Sequence, residues 1–273
     1  MYEAVLVPLD GSELAERALI SAAKIAQADG AAIKLFSVVE DTEHVAERRA
    51  YLEAKAKELG PRASAMEPVV AREPAGAIAG AITDRPNVLL CMSTHGRTPV
   101  SRVFLGSVAG EVVRTIPGPV LAVGPHFDSA RCTTLTEMVV PVDGSRFSEA
   151  VLPLAVSWAQ ALRLSMILVS VLPPSNTPYI GQTDVFESAY VSNLSSDLRR
   201  QGVNVQWEVL HGDRPAEAIL DFISRRTSGC LLVMSTHGRS GLERVVMGSV
   251  AGALVARVPC PMLVIRPRDL TEG

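Results

Sequence analysis

The chain has 273 residues, 48 % of them hydrophobic, and a formal net charge of −3. A chain this long and this apolar can bury a substantial core, which excludes general disorder. The near-neutral balance and a total of four lysines (Lys24, Lys34, Lys55, Lys57) leave no electrostatic footprint for nucleic acid or an anionic membrane. No stretch reaches the roughly 18 apolar residues of a membrane-spanning helix. Met1 leads straight into Tyr2-Glu3-Ala4-Val5 with no basic segment before it, so a cytoplasmic protein is expected. Aromatic residues make up 4 %, and the core must therefore be built from Ala, Val, Leu and Ile, a palette suited to helices packed on a parallel sheet.

In chain order, Ala4–Leu9 is an apolar run that ends at Asp10-Gly11-Ser12, and Ser12 is placed to cap a helix reaching about Ala28. Ile33–Val39 reads as a second strand, and Asp41–Leu59 as a charged helix closed by Gly60-Pro61. A weaker third strand lies near Ala65–Val70, followed by a helix opening at Pro74, where proline suits the first turn. Val88–Met92 is the fourth strand, Ser107–Thr115 a helix and Val120–Val123 the last strand. The polar stretch 126–136 reads as a linker. The same order then recurs, with strands near Glu137–Val142, Met166–Val171, Val203–Leu210, Leu231–Met234 and Met262–Ile265.

The recurrence is literal in places. Val7-Pro8-Leu9-Asp10-Gly11-Ser12 returns as Val140-Pro141-Val142-Asp143-Gly144-Ser145, and Ser93-Thr94-His95-Gly96-Arg97 returns unchanged at Ser235-Thr236-His237-Gly238-Arg239. Gly106-Ser107-Val108-Ala109-Gly110 returns as Gly248-Ser249-Val250-Ala251-Gly252. The offset is 133 residues at the first match and 142 at the second, so the second copy carries about nine extra residues, assigned to a loop over Pro173–Thr183. The expectation is two copies of one domain, residues 1–125 and 137–268, with residues 126–136 as linker. Regular alternation of strand and helix makes each an α/β fold with a doubly wound parallel sheet and helices on both faces.

In such sheets ligands bind beyond the carboxyl ends of the strands, where strand order reverses. Three segments of each copy end there: the first strand at Asp10 or Asp143, the second at Val38 or Val171, and the fourth at the Ser-Thr-His-Gly loop that starts with Ser93 or Ser235. Nine residues after its glycine, each loop reaches Gly-Ser at the start of a helix. A helix start offers N–H groups and a positive dipole end, glycine lets backbone approach an anion, and serine can donate to phosphate oxygen. The combination reads as a nucleotide site built mostly from backbone. His95 and His237 have no partners at metal spacing and read as loop-stabilising; Arg97 and Arg239 fit either a phosphate contact or a solvated surface. The scattered Cys91, Cys132, Cys230 and Cys260 read as buried thiols.

These residues resemble the nucleotide-binding universal stress proteins, whose pattern is G-x-x-G, nine residues, then G-[S/T], with an aspartate after the first strand. Gly96 with Gly106-Ser107, and Gly238 with Gly248-Ser249, match the second half of it; Ser93 and Ser235 stand where the pattern has its first glycine. The resemblance implies a Rossmann-like fold of the adenine-nucleotide alpha-hydrolase type, with fifth strands pairing the domains about a pseudo-two-fold axis. It also implies an ATP or ADP site in each domain: Asp10 and Asp143 on the ribose or adenine side, Val38 and Val171 offering backbone to adenine, and Gly96, Gly106, Ser107, Gly238, Gly248 and Ser249 taking the phosphates, with Mg²⁺ or Mn²⁺ bridging them. Copy one has Pro99 where copy two has Gly241, and Arg72-Glu73-Pro74 where copy two has Asp213-Arg214-Pro215, which supplies an aspartate suited to capping; copy two is therefore expected to be the better-preserved site.

Enzyme motifs are absent. No lysine follows a glycine as a Walker loop requires, no two glycines stand two apart, and there is no G-x-S-x-G elbow. Neither a catalytic residue nor a metal-ligating side chain is assigned. The expected function is an ATP-binding stress-response regulator, at most a slow ATPase, that forms a homodimer of tandem chains and engages an unknown protein partner. The alternative is a nucleotide-free dimerising adaptor.

Overall fold

The computed structural model describes residues 1–96, 105–132, 134–173, 180–226, 229–236 and 247–266. In the first domain β1 (Ala4–Pro8) is flanked by β2 (Ala32–Phe36) and β6 (Val88–Ser93), with β4 (Ala63–Ala65) beyond β2 and β7 (Val120–Val123) beyond β6, all parallel. The second domain repeats this with β8 (Leu135–Pro141) at its centre, β9 (Ser165–Leu172) and β10 (Val205–His211) on one side, and β11 (Gly229–Ser235) and β12 (Met262–Ile265) on the other. Within each domain the order of the five strands along the sheet is fifth, fourth, first, second, third. Order therefore reverses between the first and fourth strands.

The helices follow from capping and apolar spacing. Helix α1 (Glu13–Asp29) starts at Ser12, whose hydroxyl accepts from the Ala15 N–H, and ends at Gly30 with φ 72°. It buries Ala18, Ala22 and Ile25 against the sheet, and the Cys91 thiol donates to the Ala18 carbonyl. The second copy starts the same way, Ser145 Oγ accepting from the Ser148 N–H, but breaks into α5 (Arg146–Glu149) and α6 (Leu152–Leu162). Pro153 stands where copy one has Ile20, and without an N–H it cannot donate back to the preceding turn. All four cysteines are buried free thiols, and burial pushes Cys132 up to about 11.

Several boundaries differ from the sequence expectation. The second strand of copy one stops at Ser37, whose hydroxyl donates to the Leu9 carbonyl at 2.6 Å; β3 (Val38–Val39) then pairs with β5 (Val69–Val70) as a separate ladder. The expected single strand near Ala65–Val70 is thus two pieces, β4 and β5, separated by Met66-Glu67-Pro68. Helix α2 (Val45–Leu59) starts four residues later than Asp41, because the Asp41 carboxylate accepts from the N–H groups of Glu43 and His44 and forms a turn. Helix α7 (Ile180–Arg200) takes in the last residues of the loop expected over 173–183. Helix α3 (Pro74–Ile82) and its counterpart α8 (Pro215–Ser224) open at their prolines; the residue at the α8 cap is Arg214, so Asp213 does not serve as the cap aspartate.

The domains join where β7 meets β12 antiparallel, Leu121 opposite Leu263, so ten strands form one sheet. Behind it α1 packs on α6, and Tyr2 from the first domain meets Trp158 from the second edge-on at 6.0 Å, the indole N–H donating to the Tyr2 hydroxyl at 3.3 Å. Trp158 is fully buried. Arg226 and Glu137 form a mostly buried pair near the start of β8, Nε to Oε1 at 2.5 Å.

Two outcomes are expected. With Trp207 replaced by Phe to leave Trp158 as sole reporter, its fluorescence and the far-ultraviolet signal should unfold in one coincident thermal transition; two separated transitions would show independent domains. Glu137→Ala should lower stability by about 1–2 kcal/mol in urea titration, because it removes the charge-assisted hydrogen bonds to a partly exposed Arg226.

Candidate functional site

Each domain carries a cavity at the point where strand order reverses, about 370 Å³ in the first and 310 Å³ in the second. Both lie at the lower end of the roughly 300–1,000 Å³ of small-molecule pockets. Most of their wall residues occupy equivalent positions. Asp10 and Asp143 stand past the first strand, Val38 and Val171 at the second, Ser93 and Ser235 at the end of the fourth, and Gly106-Ser107 and Gly248-Ser249 at the start of helices α4 (Ser107–Thr115) and α9 (Ser249–Val255). Gly96 lines the first cavity. Gly238, His237, Arg239, Arg97, Pro99 and Gly241 lie outside the described residues.

The aspartate turns are built alike. Asp10 Oδ1 accepts from the Ser12 N–H at 2.9 Å and from its hydroxyl at 2.6 Å; Asp143 Oδ1 does the same with Ser145 at 3.0 and 2.6 Å. Gly11 and Gly144 between them adopt φ 86° and 77°, values that favour glycine. Gly96 packs against the other side of the carboxylate: a Cβ there would lie 2.3 Å from Asp10 Oδ2.

The second strand contributes backbone. In the β3–β5 ladder Ser37 and Val39 direct their carbonyls to β5, accepting from Val69 and Ala71. Strand alternation therefore turns the N–H and C=O of Val38 the other way, past the end of β1. In copy two the Leu172 carbonyl accepts from Gly212 on the β10 side, whereas the Val169 carbonyl accepts from Val142 on the β8 side; Val171 shares the direction of Val169 and faces past the end of β8. Both cavities thus have a donor and an acceptor side by side on one rim.

On the opposite rim the glycine N–H groups close the loop. Gly106 donates to the Thr94 carbonyl at 2.9 Å and Gly248 to the Thr236 carbonyl at 2.6 Å, so these two N–H groups, expected to meet phosphate, are spent inside the protein. Helix geometry leaves the N–H groups of Ser107, Val108 and Ala109 without intrahelical acceptors, the Gly110 N–H being the first to donate back, to the Gly106 carbonyl, and the exposed Ser107 and Ser249 bring hydroxyls to the same edge. His95 is buried, its Nδ1 2.9 Å from Thr94 Oγ1, while the Ser93 hydroxyl donates to the His95 carbonyl at 2.7 Å. The expected loop-holding role of His95 fits these contacts.

Sequence reasoning missed the apolar floor, made by Pro74, Ile78 and Met92 in one cavity and by Pro215, Ile219 and Met234 in the other. Their recurrence at matching positions was the available signal. It also missed a difference: Glu40 lines the first cavity, where the second copy has Pro173, and Ser148 lines the second, where the first has Ala15. Among the described residues no group of three His, Cys, Asp or Glu side chains is arranged to hold a metal ion. Nor is any helix among them long and apolar enough to cross a membrane.

Comparison with known proteins agrees with the fold. A universal stress protein from Archaeoglobus fulgidus superposes with a TM-score of 0.75 at 19 % identity, over 97 % of this chain and 99 % of that one. A functionally unknown protein from Pseudomonas aeruginosa gives 0.71 at 19 % identity over 98 % and 94 %. In sequence, a universal stress protein of Methanocaldococcus jannaschii is 28 % identical over 142 residues, covering 48 % of this chain and 81 % of that protein. One of Mycobacterium tuberculosis is 26 % identical over 187 residues, covering 65 % of this chain and 61 % of its own length. The model of the Universal stress protein family matches residues 1–124 and again 135–266. With both halves matched and two copies of one parallel α/β domain in a single sheet, this chain is a tandem member of the universal stress protein family.

Proposed function

We propose that each domain binds an adenine nucleotide, ATP or ADP, and that the protein acts as a nucleotide-responsive regulator in the stress response. The observation that carries this reading is the outward-facing donor–acceptor pair of Val38 and Val171. Adenine presents a donor (its amino group) next to an acceptor (N1), the complement of a backbone carbonyl beside a backbone N–H. Ile78 with Met92, or Ile219 with Met234, supplies an apolar surface for the ring. Asp10 and Asp143, at the strand ends, suit ribose hydroxyls as hydrogen-bond donors. Ser93 and Ser235, Gly96, Gly238, and the Gly106-Ser107 and Gly248-Ser249 steps form the phosphate side, with Mg²⁺ or Mn²⁺ held by the phosphates themselves.

The reading is of a regulator in the cytoplasm that hydrolyses ATP slowly at most. A homodimer of tandem chains and a protein partner that senses nucleotide occupancy complete the proposal; that homodimer has to form away from β7 and β12, which already pair with each other.

The purified protein, denatured and subjected to mass spectrometry, should release close to two adenine nucleotides per chain. Added ATP should raise the melting temperature of stripped protein by mass action. If nothing is released and the melting temperature does not move, the adaptor reading replaces this one. Gly96→Val should displace the Asp10 carboxylate and halve the stoichiometry, while the melting temperature of the nucleotide-free protein falls by only a few degrees; undiminished binding would remove Asp10 and Gly96 from the site.

A further inference from the structure

The two cavities share a frame but not a charge. The segment that carries the base-side valine reads Ser37-Val38-Val39-Glu40 in the first copy and Ser170-Val171-Leu172-Pro173 in the second. Val39 is buried and its carbonyl accepts from the Ala71 N–H; Val38 and Glu40 on either side of it both line the first cavity. Leu172 is buried likewise, but Pro173 carries no charge and is not among the residues that wall the second cavity.

Among the described residues, the carboxylates on the walls are Asp10 and Glu40 in the first cavity and Asp143 in the second, and no lysine or arginine lines either. The two aspartates are held alike by their serines, so they do not tell the sites apart. Glu40 does. It is exposed at the rim and makes no ion pair among the described residues. A compact cavity of 370 Å³ is about 9 Å wide, less than the ~10 Å screening length at 0.1 M salt. A phosphate anywhere in the first cavity therefore feels this carboxylate. Exposure keeps the repulsion modest for each charge, and it grows with the number of phosphate charges.

We propose that Glu40 is a specificity-determining residue, biasing the first cavity toward adenine ligands with few phosphate charges, while the second cavity, with Pro173 at that position, takes the more highly phosphorylated ones. The inference rests on the nucleotide reading above. Glu40 needs no contact with the ligand for this effect, because its charge acts across the cavity. The two domains of one chain then answer to different members of one nucleotide series, and their combined occupancy follows the balance between those members.

The test is calorimetric titration with adenosine, AMP, ADP and magnesium-free ATP, in order of rising negative charge. In an Asp143→Ala background, which leaves the first site, Glu40→Gln should leave adenosine within about twofold and tighten ATP about three- to tenfold at an ionic strength of about 10 mM, with AMP in between. The gain should disappear at about 0.5 M salt, where screening is complete over the width of the cavity. In a Gly96→Val background, which leaves the second site, Pro173→Glu should do the reverse, weakening ATP and sparing adenosine. Equal changes for adenosine and ATP, or a gain that persists at high salt, would make Glu40 a matter of shape and overturn the proposal. Weaker ATP binding by Glu40→Gln would also overturn it, by showing that the carboxylate attracts the ligand. If the wild-type protein binds none of the four ligands, the nucleotide reading falls and this inference with it; if it binds them and Glu40→Gln shifts none, this inference alone falls.

Discussion

The structure depends on the antiparallel pairing of β7 with β12. Each domain alone would leave its fifth strand as an open edge carrying the buried residues Val120–Val123 or Met262–Val264. Pairing the two edges closes both, and the fit is tight: a Cβ at Gly124 would lie 2.1 Å from the Val255 carbonyl, so no larger residue fits there without moving α9. Because the joint is antiparallel, the strands of the two domains run in opposite directions. Their carboxyl ends, and hence the two cavities, lie on opposite edges of the ten-stranded sheet. No single small ligand can span both.

The same joint ties each cavity to the neighbouring domain. Helix α4 starts at the first cavity and ends near the seam, where the Arg114 carbonyl accepts from Arg266 of the second domain. Helix α9 starts at the second cavity and ends against Gly124 of the first. Arg17 on α1 reaches the Pro125 carbonyl at 2.8 Å, and the Asp128 N–H donates to the Pro259 carbonyl, so the connecting segment is itself held by both domains. The stretch that reads as a polar linker in sequence therefore includes the buried Phe127 and Cys132. Those two side chains belong to the core, while His126, Ser129, Ala130, Thr134 and Thr136 stay exposed.

Much of this was legible in the sequence, for definite reasons. Repeated blocks such as Val-Pro-x-Asp-Gly-Ser record a local geometry, strand end to turn to capped helix, that needs little tertiary context, and both copies fold as that geometry requires. The cavity residues Asp10, Val38, Ser93, Gly96, Gly106 and Ser107 could be grouped because topology brings strand ends together. Hydrogen-bond direction was not legible: nothing in the letters says that the Gly106 and Gly248 N–H groups turn inward to the Thr94 and Thr236 carbonyls. Nor could periodicity find the breaks at Ser37 and Pro68, because an apolar run reads the same whether it follows one ladder or changes partners. Pro153 was readable as a helix break; it falls at a position of α1 where Ile20 makes the first copy continuous.

The two sites have diverged around a fixed frame, and the distribution of change is informative. Turn glycines, serine caps, outward-facing valines and the apolar floor recur in kind, and each of them sets backbone path or shape. What differs lies where a residue meets the ligand space from the rim: Glu40 against Pro173, Ala15 against Ser148. Ser148 is already engaged, its hydroxyl accepting from the Asp143 N–H at 3.2 Å and donating to the Ser145 carbonyl at 3.0 Å, so it stiffens the second turn in a way Ala15 cannot. Glu40 instead adds an exposed carboxylate to the first rim. A negative charge there opposes a phosphate group brought close and favours hydrogen-bond donors, whereas the second rim gains rigidity without charge. The frame common to both copies therefore sets where a ligand sits, and these two substitutions make the first and second cavities chemically unequal.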